Sequence, residues 1–263
     1  NGFHAGSILG MNVCLCRPVV VTIGQDRKIK LFNYVTMECE ISYDCSVQGG
    51  GNGTSSSSDE PISVTIHPSG FHVLVGYKER IKMFNILENS LKLWKSIPIK
   101  NCRSIQFNYD GNMFACAYGI NLEIYNTYTF TLIHTLSGHI RPIRSLVWGG
   151  TASTNHLLWS VGMDGACFGW NVSAGVKIDE KTMAPNIFNS IAVDRNGREI
   201  MVCSSTSGTL FDIRRDHDSS EPLKNGTIHD NTSCGSLPII VRNQQMHGDA
   251  IIITNMIISH KNN

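Results

Sequence analysis

Charge of one sign is not in excess in this sequence: 22 basic and 21 acidic side chains give a formal net charge of +1 over 263 residues. Such a chain lacks the one-sided field that holds a phosphate backbone or an acidic bilayer through counterion release. Bulk binding to nucleic acid or membrane is thereby disfavoured, although a local patch survives the test. Long apolar runs are also missing. The most apolar tract, Ile251 to Ile258, is broken by Thr254 and Asn255 and falls far short of the ~20 residues that a spanning helix needs. No basic start, apolar core and small-residue cleavage site opens the chain. Nine cysteines are an odd number, which with the missing leader favours a reducing compartment. Four Asn-x-Ser/Thr matches, at Asn52, Asn171, Asn225 and Asn231, read as chance in a chain rich in Asn and Ser.

Sites that chemistry would need are equally scarce. Cys14-Leu-Cys16 has strand spacing, which would turn both sulfurs to one side, but no second close pair of cysteines supplies the other ligands of a metal site. These thiols, with Cys116, Cys167 and Cys203 in apolar strand patterns, read as core residues. The Gly-rich stretch from Gln48 lacks a following Gly-Lys-Ser/Thr and a helix, so it cradles no phosphate. Neither a metal nor a cofactor is expected. Helical periodicity with cap signals is absent throughout.

What is present is a repeat. Five segments end in a bulky apolar residue: Val19 to Asn33, Val73 to Asn85, Met113 to Asn126, Leu157 to Asn171, and a weaker Glu199 to Ile213. Their closing residues, Phe32, Phe84, Tyr125, Trp170 and Ile213, are 52, 41, 45 and 43 positions apart, the spacing of a four-stranded propeller blade. Within each unit the pattern is of short strands. Ile29-Lys-Leu31 and Ile81-Lys-Met83 alternate with period two, and β-branched residues fill Val19 to Ile23. His67-Pro-Ser-Gly70, Asn108-Tyr-Asp-Gly111 and Asp194-Arg-Asn-Gly197 are turns that would join the first and second strands of a blade. The long first gap contains a Gly/Ser insertion over residues 48–60, which cannot bury apolar surface and is expected to be a flexible loop. The length admits one large all-β domain or two ordinary ones, and the period selects the first: an all-β propeller over residues 1–213. Beyond it lies a divergent tail over residues 214–263, in which a degenerate sixth or seventh blade could be hidden. Because the chain starts at Asn1 in the middle of a motif, it reads as a fragment or a processed piece.

At this point the sequence resembles the WD-repeat family. The fourth unit carries the clearest match, with Gly138-His139, Ser160, Asp164 and Trp170-Asn171. The resemblance implies that His139, Ser160, Asp164 and Trp170 form a buried hydrogen-bonded chain. Physically, a buried indole N–H, hydroxyl and imidazole each need a partner, and a carboxylate at the end orients the ring. His4, Thr22 and Asp26 stand at the same offsets before Phe32, which cannot donate the last bond. The second and third units have Lys78 and Gly119 at the Asp position, so packing alone is expected to carry those blades.

A closer resemblance runs from Cys102 to Asp179, through Cys102-Arg103, Tyr125-Asn-Thr127, Thr129-Phe130, Ser137-Gly-His139, Val147-Trp148 and Gly162-Met-Asp-Gly-Ala166. It is similar to the second propeller of a cilia- and flagella-associated WD-repeat family whose members continue into a coiled coil. That resemblance implies a non-catalytic scaffold in the cytoskeleton of a cilium or flagellum, an axonemal component that helps dock or regulate inner dynein arms on doublet microtubules. Its partners would be proteins, with no nucleic acid and no membrane.

Three readings compete: the axonemal scaffold, a cytosolic adaptor of a ubiquitin ligase or trafficking complex, and a propeller hydrolase. The hydrolase would use His139 with Asp164 or His4 with Asp26 as base and acid. Because both pairs recur at the blade-specific offset and no activated Ser or Cys motif accompanies them, no catalytic residue is expected. Partner contacts are expected on the rim loops, at Arg27, Tyr77, Lys78, Arg141 and Met163, since Arg, Tyr and Met suit binding anchors. Trp94, on an outer strand, is either packed between blades or exposed to a partner.

Overall fold

The computed structural model describes residues 2–14, 16–45, 60–194, 199–206 and 210–214. The Gly/Ser insertion, the Asp194 to Gly197 turn beyond its first residue and the tail after Arg214 lie outside them. Nineteen strands and no helix are found among the described residues. They form antiparallel sheets in which chain order equals spatial order: β1 (Ile8–Cys14), β2 (Val19–Gly24), β3 (Lys28–Asn33) and β4 (Glu38–Asp44) make the first blade. The second holds β5 (Pro61–Ile66), β6 (His72–Tyr77), β7 (Ile81–Ile86) and β8 (Leu91–Ile97); the third holds β9 (Ser104–Phe107), β10 (Met113–Tyr118), β11 (Asn121–Asn126) and β12 (Leu132–Leu136). The fourth is β13 (Ile143–Trp148), β14 (Leu157–Gly162), β15 (Ala166–Asn171) and β16 (Val176–Thr182), and the fifth is described through β17 (Phe188–Val193), β18 (Glu199–Ser204) and β19 (Leu210–Arg214). This is the all-β propeller that the sequence period calls for.

The core is divided among the seams between blades. Val73 and Val75 of β6 join Val19, Val21 and Ile23 in the first seam, while Leu74 between them faces Phe114 and Cys116 in the second. Ala115 and Ala117 turn the other way and meet Leu158 and Phe168 in the third seam; Leu157, Trp159 and Val161 face Phe188 and Val202 in the fourth. Successive side chains of a strand point to opposite faces, and in the second strand of each blade both faces are buried. That is why Val19 to Ile23 and Val73 to Val75 read as continuous apolar runs rather than as alternation. The outermost strands are largely exposed, and in Leu91 to Ile97 only Leu91 is fully buried.

The turns joining first and second strands fasten the first four blades to one another in order. Gly70 and Gly111 both take φ of +75°, the left-handed region open to glycine. His67 donates from Nε2 to the Gly111 carbonyl (3.0 Å) and accepts at Nδ1 from the Ser69 hydroxyl (2.7 Å). Arg17 reaches from the first blade to the Gly70 carbonyl (3.0 Å), and Asp110 of the third blade pairs with Asn155 of the fourth.

Candidate functional site

The opposite rim carries the polar chains. In the fourth blade Trp170 Nε1 donates to Ser160 Oγ (2.9 Å), the Ser160 hydroxyl donates to His139 Nε2 (2.8 Å), and His139 Nδ1 donates to Asp164 Oδ2 (2.9 Å). Asp164 also accepts from the amides of Ile140 and Ala166, both at 3.1 Å. The carboxylate thereby ties the loop entering β13 to the turn between β14 and β15. Burial holds the His139 imidazole below the ordinary histidine pKa, against the opposing pull of Asp164, so the ring is neutral at pH 7.

The first blade brings together His4, Thr22 and Asp26 in the same way, with His4 Nδ1 2.7 Å from Asp26 Oδ1 and Nε2 2.8 Å from Thr22 Oγ1. Burial pushes the Asp26 carboxyl up, but bonds from His4 and from the amides of Ala5 and Lys28, with the charge of His4, outweigh it and leave a net lowering. Phe32 stands where Trp170 does, and Phe3 stacks on it at 5.8 Å. Each chain rests on a glycine two residues before the carboxylate. A Cβ on Gly24 would lie 2.5 Å from His4 Nδ1, and one on Gly162 would lie 2.8 Å from Asp164 Oδ1. The Gly-x-Asp spacing was the sequence signal for this packing.

The third blade departs from the expectation that packing alone carries it. Glu123 accepts from the hydroxyls of Tyr118 (2.7 Å) and Tyr125 (2.6 Å), a network built across β10 and β11 where the first and fourth blades use His and Asp. Burial and then the Glu123 carboxylate raise the Tyr118 hydroxyl to about 12 and push Tyr125 further in the same direction. The second blade instead uses Ser63, whose hydroxyl donates to the Cys102 carbonyl at 2.7 Å.

The rim residues separate on inspection. Tyr77 corrects an expectation: it is 1% exposed, and its hydroxyl meets Cys45 Sγ at 3.3 Å, because it is the last residue of β6 and turns into the first seam. Lys78, one residue on, is exposed, as is Arg141. Arg27 and Met163 are half-buried in the turns between second and third strands, and Arg27 reaches across to Glu60 of the next blade (3.0 Å). Trp94 does both things asked of it. It is 40% exposed, yet its ring stacks on His72 at 5.6 Å and meets Phe130 of the third blade edge-on at 5.9 Å.

Cys14 and Cys16 do not share a face: β1 ends at Cys14, which is buried, and Cys16 lies exposed in the turn. No disulfide joins any two of the eight described cysteines, and among the described residues no three His, Cys, Asp or Glu side chains converge as metal ligands. Burial raises the Cys167 thiol to about 12, and the hydrogen bond with Cys102, with burial second, raises Cys116 well above its ordinary value, so both are held as thiols. No described helix is long and apolar enough to cross a membrane.

Residues of the five innermost strands line a central cavity of about 920 Å³. Four of them, β1, β5, β13 and β17, open with a β-bulge, and the extra residue is Leu9, Ile62, Arg144 or Asn189. Arg103 holds the matching place just before Ser104 of β9, and all five line the cavity. Bulges re-aim a side chain, and here they set one residue per blade around the channel. This device was not legible in the sequence, because a bulge leaves no residue signature.

Blades laid out in chain order and seams that share the core define the class, a β-propeller, and the His–Ser–Asp–Trp chain at one rim resembles the one implied by the likeness to WD repeats. Sequence comparison points within that class. The chain is 29% identical over 210 residues to mouse cilia- and flagella-associated protein 57, covering 80% of this chain and 16% of the mouse protein. It is 32% identical over 145 residues to cilia- and flagella-associated protein 57 A of Tetrahymena thermophila, and 24% identical over 229 residues to protein 57 C of the same organism. These matches cover 54% and 81% of this chain and 10% and 16% of those proteins, so the chain spans about a sixth or less of the length of its relatives. No protein-family model matches the sequence.

Proposed function

We propose that this propeller is a non-catalytic protein-binding scaffold of the cilium or flagellum, and that within the axoneme it helps dock or regulate inner dynein arms on doublet microtubules. The observation that carries the reading is the similarity, across most of the chain, to three proteins named for cilia and flagella. The site geometry supports the scaffold half of it. His139 with Asp164 and His4 with Asp26 are spent on holding loops to strands, with each His nitrogen and each carboxylate engaged within its own blade. Exposed Lys78 and Arg141, with half-buried Arg27 and Met163, remain as the contact residues, and they differ from blade to blade as binding loops on a common frame do.

Localisation of the tagged full-length protein in a ciliated cell, followed by affinity capture, tests this. Axonemal signal with dynein-arm and doublet proteins in the eluate is the expected outcome. A diffuse cytosolic signal with ubiquitin-ligase or trafficking subunits would replace the ciliary reading by that of a general adaptor.

A further inference from the structure

The channel ring is asymmetric in charge. Leu9 and Ile62 from the first two blades are apolar and Asn189 from the fifth is neutral, whereas the third and fourth blades place Arg103 and Arg144 side by side at equivalent positions of β9 and β13. The two strands are locked together one turn deeper, where Gln106 accepts the Trp148 amide (3.3 Å) and its carbonyl accepts the Trp148 indole (3.0 Å). Among the described residues neither guanidinium has a carboxylate within 4.0 Å, and Arg144 Nε is buried without a hydrogen-bond partner. Glu60, the acid of the cavity wall, is engaged by Arg27. Arg103 is exposed and Arg144 half-buried, and two cations at neighbouring positions repel each other and leave donors unused; desolvation, and next the charge of Arg144, hold the Arg103 pKa down.

We infer that Arg103 and Arg144 form an oxyanion site in the central channel, and that its ligand is a phosphoryl group. The charge selects the ligand: a phosphate monoester carries about −1.5 to −2 at pH 7 and offers three acceptor oxygens, which matches two guanidiniums, whereas a carboxylate would leave one uncompensated. Arginine forks suit phosphate oxygens geometrically, and Ser104 and Ser145 line the same wall. The cavity is large enough to admit a phosphorylated side chain as well as the free ion. This inference stands apart from the ciliary reading, since it rests on the channel alone.

Titration calorimetry of the intact chain with inorganic phosphate, with a phosphoserine peptide flanked by glycines, and with its unphosphorylated counterpart tests it. Saturable one-to-one binding of phosphate or phosphopeptide is expected, weakened at least about tenfold by Arg103→Gln or Arg144→Gln, consistent with loss of a charge-assisted contact, and abolished by the double variant; Lys92→Gln, on the exposed outer strand of the second blade, leaves it unchanged. Tighter binding of the phosphopeptide than of phosphate would assign the group to a phosphorylated chain, and equal binding to the free ion. Failure of both, or binding that survives the double variant, would overturn the site. A measurement on the unmodified protein guards against misfolded variants: phosphate should protect Arg103 and Arg144 from phenylglyoxal, read by mass spectrometry, and equal labelling with and without phosphate refutes the inference.

Discussion

Removing one carboxylate tests how far the fourth blade depends on its polar chain. Asp164→Ala deprives three donors of their acceptor: His139 Nδ1 at 2.9 Å and the amides of Ile140 and Ala166 at 3.1 Å. The Ile140 amide sits in a loop whose side chain is 83% exposed and can turn to water, but His139 and Ala166 are buried, at 5% and 3%. Two buried donors are therefore orphaned. At about 1–3 kcal/mol each, and with some return from no longer burying a charge, the net loss is about 3 kcal/mol. For a chain of this length that lowers Tm by roughly 6–12 °C. Circular-dichroism melts of the purified variant at neutral pH check it. Ser160→Ala cuts the same chain one link away, so the two losses should overlap in the double variant by more than about 0.5 kcal/mol. Asp26→Ala should cost less, because its carboxylate is more open and Phe32 adds no further donor. A melting point for Asp164→Ala within about 2 °C of the parent, less than the shift expected of 1 kcal/mol, would refute the reasoning, as would additivity with Ser160→Ala.

Stability should fall with pH below about 6.5. His67 and His139 both have folded pKa values lowered from 6.5, chiefly by burial, so the unfolded chain binds more protons in that window and acid favours it; denaturant midpoints at a series of pH values that stay level would contradict this. Asp26, lowered from 3.8, contributes above that value and loses its contribution as pH drops further. Glu123→Ala should destabilise the third blade by about 1–3 kcal/mol, because two tyrosine hydroxyls lose a charged acceptor; unchanged melting would mean that packing alone carries the blade. Tyr77→Ala should cost about 3–5 kcal/mol as a core truncation, while Lys78→Ala stays within about 0.5 kcal/mol; reversed magnitudes would place Tyr77 outside the core.

Much of the architecture was legible because a blade is a local unit. Its period, its turns at His67 to Gly70 and Asn108 to Gly111, and the offsets of His139, Ser160, Asp164 and Trp170 are all short-range patterns. What could not be read depends on chain segments that meet only in space. Tyr77 and Lys78 are neighbours in a polar-looking stretch, and only the end of β6 decides that one turns inward. Cys14 and Cys16 share a strand parity, but the strand stops between them. Nothing in the sequence singles out Glu123, whose role depends on Tyr118 and Tyr125 closing on it from both sides.

The seams also set the grain along which this protein can change. Leu157 and Leu158 are adjacent in the chain yet belong to different cores, while Leu158 and Ala115, 43 positions apart, belong to one. The unit of inheritance is therefore the contact between blades: a substitution on one face of a strand calls for its compensation in the next repeat, and the residue beside it is indifferent. Exchanging a whole blade would break two such agreements at once. Exposed rim residues such as Lys78 and Arg141, and the channel ring, belong to none of these cores, so they are free to diverge while the barrel of seams stays fixed.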